Sequence, residues 1–92
     1  MNITNNFGES VRVQVVYRDA SVDDITVDDN DTRSLDIKGN IFMEPDECPV
    51  GVLVYELGED TPKEELIIKE GRNAVNVIIK KGKTGPAIYL AK

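Results

Sequence analysis

Residues 11 to 17, V-R-V-Q-V-V-Y, carry an apolar side chain at every second position. On an extended chain successive side chains point to opposite faces, whereas a helix repeats every 3.6 residues. The alternation therefore predicts a β-strand over residues 10 to 17, with one face in a core and the other in water. The positions expected to face the core are Val11, Val13, Val15 and Tyr17.

The remaining apolar residues occur in short runs separated by Gly, Pro, Asn and Asp, which favour turns. Val and Ile dominate these runs, as is typical of pleated sheets. For residues 66–68 the alternative to a strand is the end of a short helix, because Thr61-Pro62 resembles a helix start. Further strands or apolar segments are expected over 3–7, 25–27, 35–37, 41–43, 50–57, 66–68, 74–81 and 86–91, the last two as a hairpin.

The number and spacing of these strands indicate an all-β fold. About seven to nine short strands, with turn signals every eight to twelve residues, are typical of sandwiches and small barrels and leave no room for the helices of a βαβ fold. A chain of 92 residues supports one core. We expect a single domain, residues 1–92, folded as a small Ig-like or prealbumin-like β-sandwich with mainly antiparallel strands.

The charge is negative and unevenly distributed. The net charge is −6, with −11 in residues 1–70, which hold all seventeen acids, and +5 in residues 71–92, which hold five basic residues and no acid. Nucleic acid is therefore not expected as the main ligand, because affinity for phosphates comes from Lys and Arg. A protein with a basic surface is the expected partner, and the domain itself is the other candidate.

Compartment and membrane association follow from what the sequence lacks. The first residues, MNITNNFGES, have neither the basic nor the apolar region of a signal peptide, and no run approaches the length of a membrane span. The one cysteine, Cys48, cannot form an internal disulfide, in keeping with a reducing compartment. We expect a cytoplasmic protein that does not bind membranes.

Few residues in the sequence could support catalysis. There is no histidine, which removes the commonest general base and zinc ligand. Cys48 follows two acids, Asp46 and Glu47, which disfavour its thiolate. The G-K-T of Gly82 to Thr84 lacks the earlier glycine of a phosphate loop, since position 77 is Val77. An enzyme is the least favoured class, and no cofactor is expected.

One cluster of acids invites a metal hypothesis. Oxygen ligands from loops at the end of a sandwich can bind calcium, although the helical calcium loop is excluded because Arg33 and Gly39 occupy its Gly and Glu positions. The simpler reading is that Asp and Asn form turns here. The acidic residues are Asp23, Asp24, Asp28, Asp29 and Asp31, of which Asp28, Asp29 and Asp31 are the calcium candidates.

Several later strands are apolar on both faces. With the alternate valines turned inward, a second set of apolar side chains faces outward, and a contiguous set would mark an interface. These residues are Leu53, Tyr55, Ile67, Ile78 and Tyr89.

The first hypothesis is a non-enzymatic interaction module that buries this set of apolar residues against itself or another protein. Its two forms are an acidic inhibitor of a basic site on a larger protein and a self-associating structural protein. The alternative is a calcium- or small-ligand-binding domain that uses the acidic loops.

Overall fold

A computed structural model describes residues 1–35, 49–68 and 76–91. Within these ranges the protein is all-β, without a helix. The strands are β1 (Asn2–Asn6), β2 (Val11–Tyr17), β3 (Val22–Val27), β4 (Thr32–Ser34), β5 (Pro49–Glu56), β6 (Glu64–Ile67), β7 (Asn76–Lys81) and β8 (Pro86–Ala91). The all-β class and the predicted number of strands are confirmed for the described part of the chain.

The strands form two sheets of four. Sheet A has the order β4-β1-β7-β8, and sheet B has the order β3-β2-β5-β6. Sheet B is antiparallel throughout, while in sheet A the first strand pairs in parallel with β7, Ile3 lying opposite Val77. The architecture is therefore two mainly antiparallel sheets, as predicted.

The two sheets share one core. The inward side of β2 supplies the alternating residues recognised in the sequence, and Val11, Val13 and Val15 are fully buried. The core also takes residues from both sheets: Ile3, Val27, Val52, Val54, Ile68, Val77, Ile79 and Ile88. Branched side chains from facing sheets interdigitate, which gives a 92-residue chain its main source of stability.

The bounds of several strands differ from expectation, and β3 begins at Val22, earlier than the expected residue 25. A strand pairs with β1 at Thr32–Ser34, just before the predicted segment 35–37, and the Leu35 N–H donates to the Met1 carbonyl at 2.9 Å, while residues 36 and 37 lie outside the described residues. The strand predicted over residues 66–68 is present as β6, which pairs with β5, so the alternative of a short helix beginning at Thr61 is wrong. The segment 41–43, Cys48 and residues 69–75 lie outside the described residues.

The β7–β8 hairpin is confirmed, with Ile78 opposite Tyr89. Gly85 closes its turn at a φ of 143°, which favours glycine, and the Gly82 N–H donates to the Gly85 carbonyl at 2.7 Å. The G-K-T sequence thus lies in a turn between strands.

Among the described residues no helix is long and apolar enough to cross a membrane.

Candidate protein-binding surfaces

The outer face of sheet B carries an apolar patch. Strand pairing places Val22, Val16, Gly51 and Ile67 side by side across all four strands, and Leu53 lies in the next row. Ile67 is 71% exposed and Val22 is 47% exposed, while Val16 and Leu53 are half-buried. At about 4.8 Å between neighbouring strands, the row extends about 14 Å. We call Val16, Val22, Gly51, Leu53 and Ile67 the sheet B patch.

Gly51 leaves the centre of the sheet B patch without a side chain. Its φ is not positive, so the backbone does not demand glycine. A Cβ built at Gly51 has one neighbour within 4 Å, the Leu66 carbonyl oxygen at 3.6 Å, which is ordinary contact. Neither conformation nor packing therefore explains a glycine in this central strand, whereas the close approach of another chain to the surface would.

A network of polar side chains covers the other half of this face. Arg12 donates to Asp24, with Nη2 at 2.6 Å from Oδ2, and its guanidinium carbon lies 4.9 Å from the ring centroid of Tyr55. The Tyr55 hydroxyl donates to Gln14 Oε1 at 2.7 Å, and Gln14 Nε2 donates to Asp24 Oδ2 at 3.2 Å. Because four residues on three strands bond one another, Tyr55 is only 7% exposed.

The same network shifts the ionisation of its charged members. The hydrogen bond with Arg12 is the main reason that the pKa of the Asp24 carboxyl lies below its ordinary value, and the bond from Gln14 acts in the same direction. The pKa of Arg12 is raised by its hydrogen bond with Asp24. Both groups are therefore charged at neutral pH, and the charge of Asp24 is largely neutralised.

Carboxylates lie beside the sheet B patch on the β6 side. Glu65 lies opposite Leu53 on the outer face, whereas Glu64 lies opposite Val54, on the core-facing phase of the same edge strand. Neither makes an ion pair or hydrogen bond with another described residue, unlike Asp24. The loop before β6 adds Glu59 and Asp60, both exposed. The sheet B patch thus combines apolar side chains with negative charge that no cation of the described residues pairs.

The outer face of sheet A has a different character on each half. On the β1–β4 side it is polar, with the Thr4 and Thr32 hydroxyls hydrogen bonded at 2.9 Å. On the β7–β8 side, Ile78 lies beside Tyr89, and Lys80 Nζ is 5.8 Å from the Tyr89 ring centroid. We call Ile78, Lys80 and Tyr89 the sheet A patch.

The five predicted interface residues do not form one surface. Leu53, Tyr55 and Ile67 lie on the outer face of sheet B, whereas Ile78 and Tyr89 lie on the outer face of sheet A, on the opposite side of the sandwich. Of the first three, Tyr55 is covered by the polar network. The structure therefore brings them together as two separate groups.

Sequence reasoning missed three members of the sheet B patch: Val16, Val22 and Gly51. Val16 departs from the alternation of β2, because the outward phase otherwise carries Arg12 and Gln14. This apolar residue in the outward phase could have been recognised from the sequence alone. Its pairing with Val22 and Gly51 depends on strand order, which the sequence does not encode locally.

The acidic residues divide into two sets. Asp23 and Asp24 belong to β3, and Asp23 accepts a hydrogen bond of 2.6 Å from the Tyr17 hydroxyl. Burial, and then this bond, raises the pKa of Tyr17 above its ordinary value. Asp28, Asp29 and Asp31 lie in the turn between β3 and β4, all exposed.

Two carboxylates of that turn hold the loop itself. Asp28 Oδ1 accepts from the Ser10 hydroxyl at 3.0 Å, and Asp29 Oδ1 accepts from the Gly8 N–H at 2.9 Å. Asn30 has a φ of 60°, which Asn tolerates in turns. Among the described residues no three His, Cys, Asp or Glu side chains converge on a position for a metal ion. Calcium binding by this turn stays a prediction without structural support.

Asn5 anchors the acidic turn from inside the fold. Its side chain is fully buried, and Nδ2 donates to the Glu9 carbonyl at 2.7 Å and to the Val27 carbonyl at 2.9 Å, while Oδ1 accepts from the Phe7 N–H at 2.9 Å. Its backbone bonds Asn30 and Asp31. A buried amide with this many partners is satisfied, so Asn5 fixes the point where the chain passes from sheet B to sheet A.

Comparison with known protein families, curated proteins and solved structures finds no match for this chain. Assignment to an Ig-like or a prealbumin-like fold therefore stays a prediction.

Proposed function

We propose that this protein is a non-enzymatic protein-binding module that contacts its partner through the sheet B patch. The observation that carries the proposal is the row of apolar side chains across sheet B, with Gly51, which has no side chain, at its centre. Exposed apolar side chains arranged contiguously are a usual feature of binding surfaces. A central glycine lets an apolar side chain of the partner approach the backbone between Val16 and Ile67.

The charge around the patch specifies the partner. Glu65 borders the apolar row without a counter-ion among the described residues, and the protein as a whole carries a net charge of −6. A partner with Lys or Arg flanking an apolar side chain complements this arrangement, and charge of opposite sign also accelerates the encounter. An inhibitor that covers a basic site on a larger protein is one form of this function.

Other features of the sequence support the remaining parts of the proposal. The absence of histidine and the acidic neighbours of Cys48 support a protein without catalysis or cofactor. The single cysteine supports a reducing compartment, the cytoplasm. The acidic excess supports a protein partner over nucleic acid. The two-sheet architecture supports an Ig-like or prealbumin-like assignment, in which exposed sheet faces are available to partners.

The test compares two arginine variants on the same face. Gly51→Arg fills the centre of the sheet B patch, and Thr26→Arg adds the same charge at an exposed position of β3 outside it. Proteins retained by the immobilised wild-type domain are identified, and the purified partner is then titrated against each variant by calorimetry. We expect Gly51→Arg to weaken binding by roughly tenfold or more and Thr26→Arg to change it little. Equal affinity for both variants would place the binding site elsewhere.

A further inference from the structure

The sheet A patch has the opposite charge to the sheet B patch. Residues 76–91 contain three lysines, Lys80, Lys81 and Lys83, and no acid. None of the three makes an ion pair with a described carboxylate. Lys80 lies on the outer face of β7, and its Nζ is 5.8 Å from the ring centroid of Tyr89, a side chain that is 50% exposed. This surface offers an aromatic side chain, an aliphatic one and free positive charge.

Each patch supplies what the other lacks. Residues 56–67, which include β6 and the loop before it, hold five acids and one lysine. The apolar row beside them has no side chain at Gly51, and the sheet A patch presents the Tyr89 ring beside Lys80. An aromatic ring packed over a glycine, with Lys80 facing Glu65, satisfies both the apolar and the charged parts of the contact.

We infer that the occupant of the sheet B patch is the sheet A patch of a second copy of this chain. This inference rests on the proposed function for one of its two surfaces. Because the two patches lie on opposite sides of the sandwich, the contact is head-to-tail: each copy uses its sheet B patch toward one neighbour and its sheet A patch toward the other. Such a heterologous contact extends into a ring or a filament, whereas a two-fold contact would stop at a dimer.

The test uses one variant for each face. Ile67→Lys places a positive charge in the sheet B patch, and Tyr89→Glu places a negative charge in the sheet A patch; both positions are exposed. Lys80→Glu is a second variant of the sheet A patch that leaves the β8 strand unchanged. The mass in solution is measured by light scattering up to about 1 mM, since small interfaces bind weakly, with circular dichroism to verify folding.

We expect the mass of the wild type to rise with concentration and to fall at high salt. Each variant alone is expected to be monomeric. An equimolar mixture of Ile67→Lys with either Tyr89→Glu or Lys80→Glu is expected to form a 1:1 dimer. The mixture forms a dimer because each partner keeps the patch that the other has lost. A wild type that stays monomeric, or a mixture that does not associate, overturns the inference. An association that stops at a dimer and is not restored by mixing indicates a two-fold contact and also overturns it.

Failure of this inference leaves the proposed function testable. If the copies do not associate but a foreign protein binds the wild type and loses affinity for Gly51→Arg, the sheet B patch is a binding surface with another occupant. If neither happens, both proposals fail.

Discussion

Arg12 and Asp24, paired across β2 and β3, cover the ring of Tyr55 on the third strand of sheet B. The Arg12 Nε lies 3.0 Å and 3.1 Å from the two carboxylate oxygens of Asp24, Nη2 lies 2.6 Å from one of them, and the guanidinium carbon lies 4.9 Å from the Tyr55 ring centroid. The carboxylate holds the guanidinium in place, and the guanidinium shields the ring. Tyr55 therefore lies on the outer face of sheet B, but the Arg12–Asp24 salt bridge keeps its ring from being exposed there.

This pair predicts a loss of stability in acid. The pKa of Asp24 is lowered in the folded state, so its contribution is present above the ordinary carboxyl pKa of about 4 and is lost as the pH falls through the folded value. We expect the urea midpoint of the wild type to fall more between pH 5 and pH 2 than that of Asp24→Asn. Asp31→Asn is the control, since the Asp31 side chain makes no hydrogen bond with described residues. Identical pH profiles for the wild type and Asp24→Asn would contradict this role.

Tyr17 predicts a loss of stability in alkali. Burial and the bond to Asp23 raise its pKa in the folded state, so the folded protein keeps the phenol proton at a pH where the unfolded chain releases it. The stabilisation is complete below the ordinary pKa of about 10 and decreases as the pH rises above it. We expect Tyr17→Phe to flatten the dependence of the urea midpoint on pH between pH 9 and pH 11.5, and the exposed Tyr89→Phe to leave it unchanged. If the urea midpoints of both variants depend on pH as that of the wild type does, the pKa of Tyr17 is the same in the folded and unfolded states.

Asn5 predicts a large effect of a small substitution. Asn5→Ala removes three side-chain hydrogen bonds and leaves the Glu9 and Val27 carbonyls and the Phe7 N–H without their partner. We expect destabilisation of about 3 kcal/mol in urea unfolding, in the range for buried groups left unsatisfied. Asn6→Ala, one residue away and exposed, is the matched control and is expected to change stability by less than about 0.5 kcal/mol. Equal effects of the two changes would show that water replaces the lost bonds.

Two glycines predict opposite responses to alanine. Gly51→Ala meets no crowding and no positive φ, so we expect it to stabilise the protein by about 0.5–1 kcal/mol, the usual advantage of Ala over Gly within a strand. Gly8 has a φ of 109° with open space around it, and Gly8→Ala is expected to destabilise through backbone strain alone, by about 1 kcal/mol or more. Thermal and urea unfolding of both variants measures the contrast. A destabilised Gly51→Ala would mean that the fold itself requires this glycine.

The calcium hypothesis is tested by measuring the melting temperature with and without Ca²⁺. A ligand that binds only the folded state raises the melting temperature, so calcium binding requires an increase on adding millimolar Ca²⁺ that EDTA reverses. Asp31→Asn is the variant to compare, because Asp28 and Asp29 already hold the turn through Ser10 and Gly8, and changing them disturbs the loop. An unchanged melting temperature in the wild type would remove the hypothesis.

Local pattern predicted the strands well, and long-range contacts account for what it missed. The alternation of β2 identified Val11, Val13 and Val15 as core residues because successive side chains of a strand point to opposite faces, so the sequence alone assigns each residue to a face. The same parity placed Tyr55 on the outer face, yet could not show that Arg12 and Gln14 would cover it. These covering residues are more than forty positions away in the chain, and only the pairing of β2 with β5 brings them close.

The candidate surfaces show the same limit. Ile67 and Tyr89 were grouped by their shared outward parity, but they lie on different sheets because β6 and β8 pair with different neighbours. Parity is a property of one strand, whereas the membership of a surface is a property of strand order. Gly51 had no apolar side chain to signal its place, although it lies at the centre of the patch.

The parallel pairing of β1 with β7 has a consequence for the order of folding. Asn2 and Asn76, hydrogen bonded at 3.1 Å, are 74 positions apart, whereas β2–β3 and β5–β6 are antiparallel pairs of strands adjacent in the chain. Contacts of such separation form late because closing a long loop costs entropy. We expect Ile3→Val to accelerate unfolding and leave the refolding rate nearly unchanged, in contrast to Val13→Ala. On the ribosome, β1 then has to remain unpaired with β7 until a strand 74 positions later in the chain has emerged.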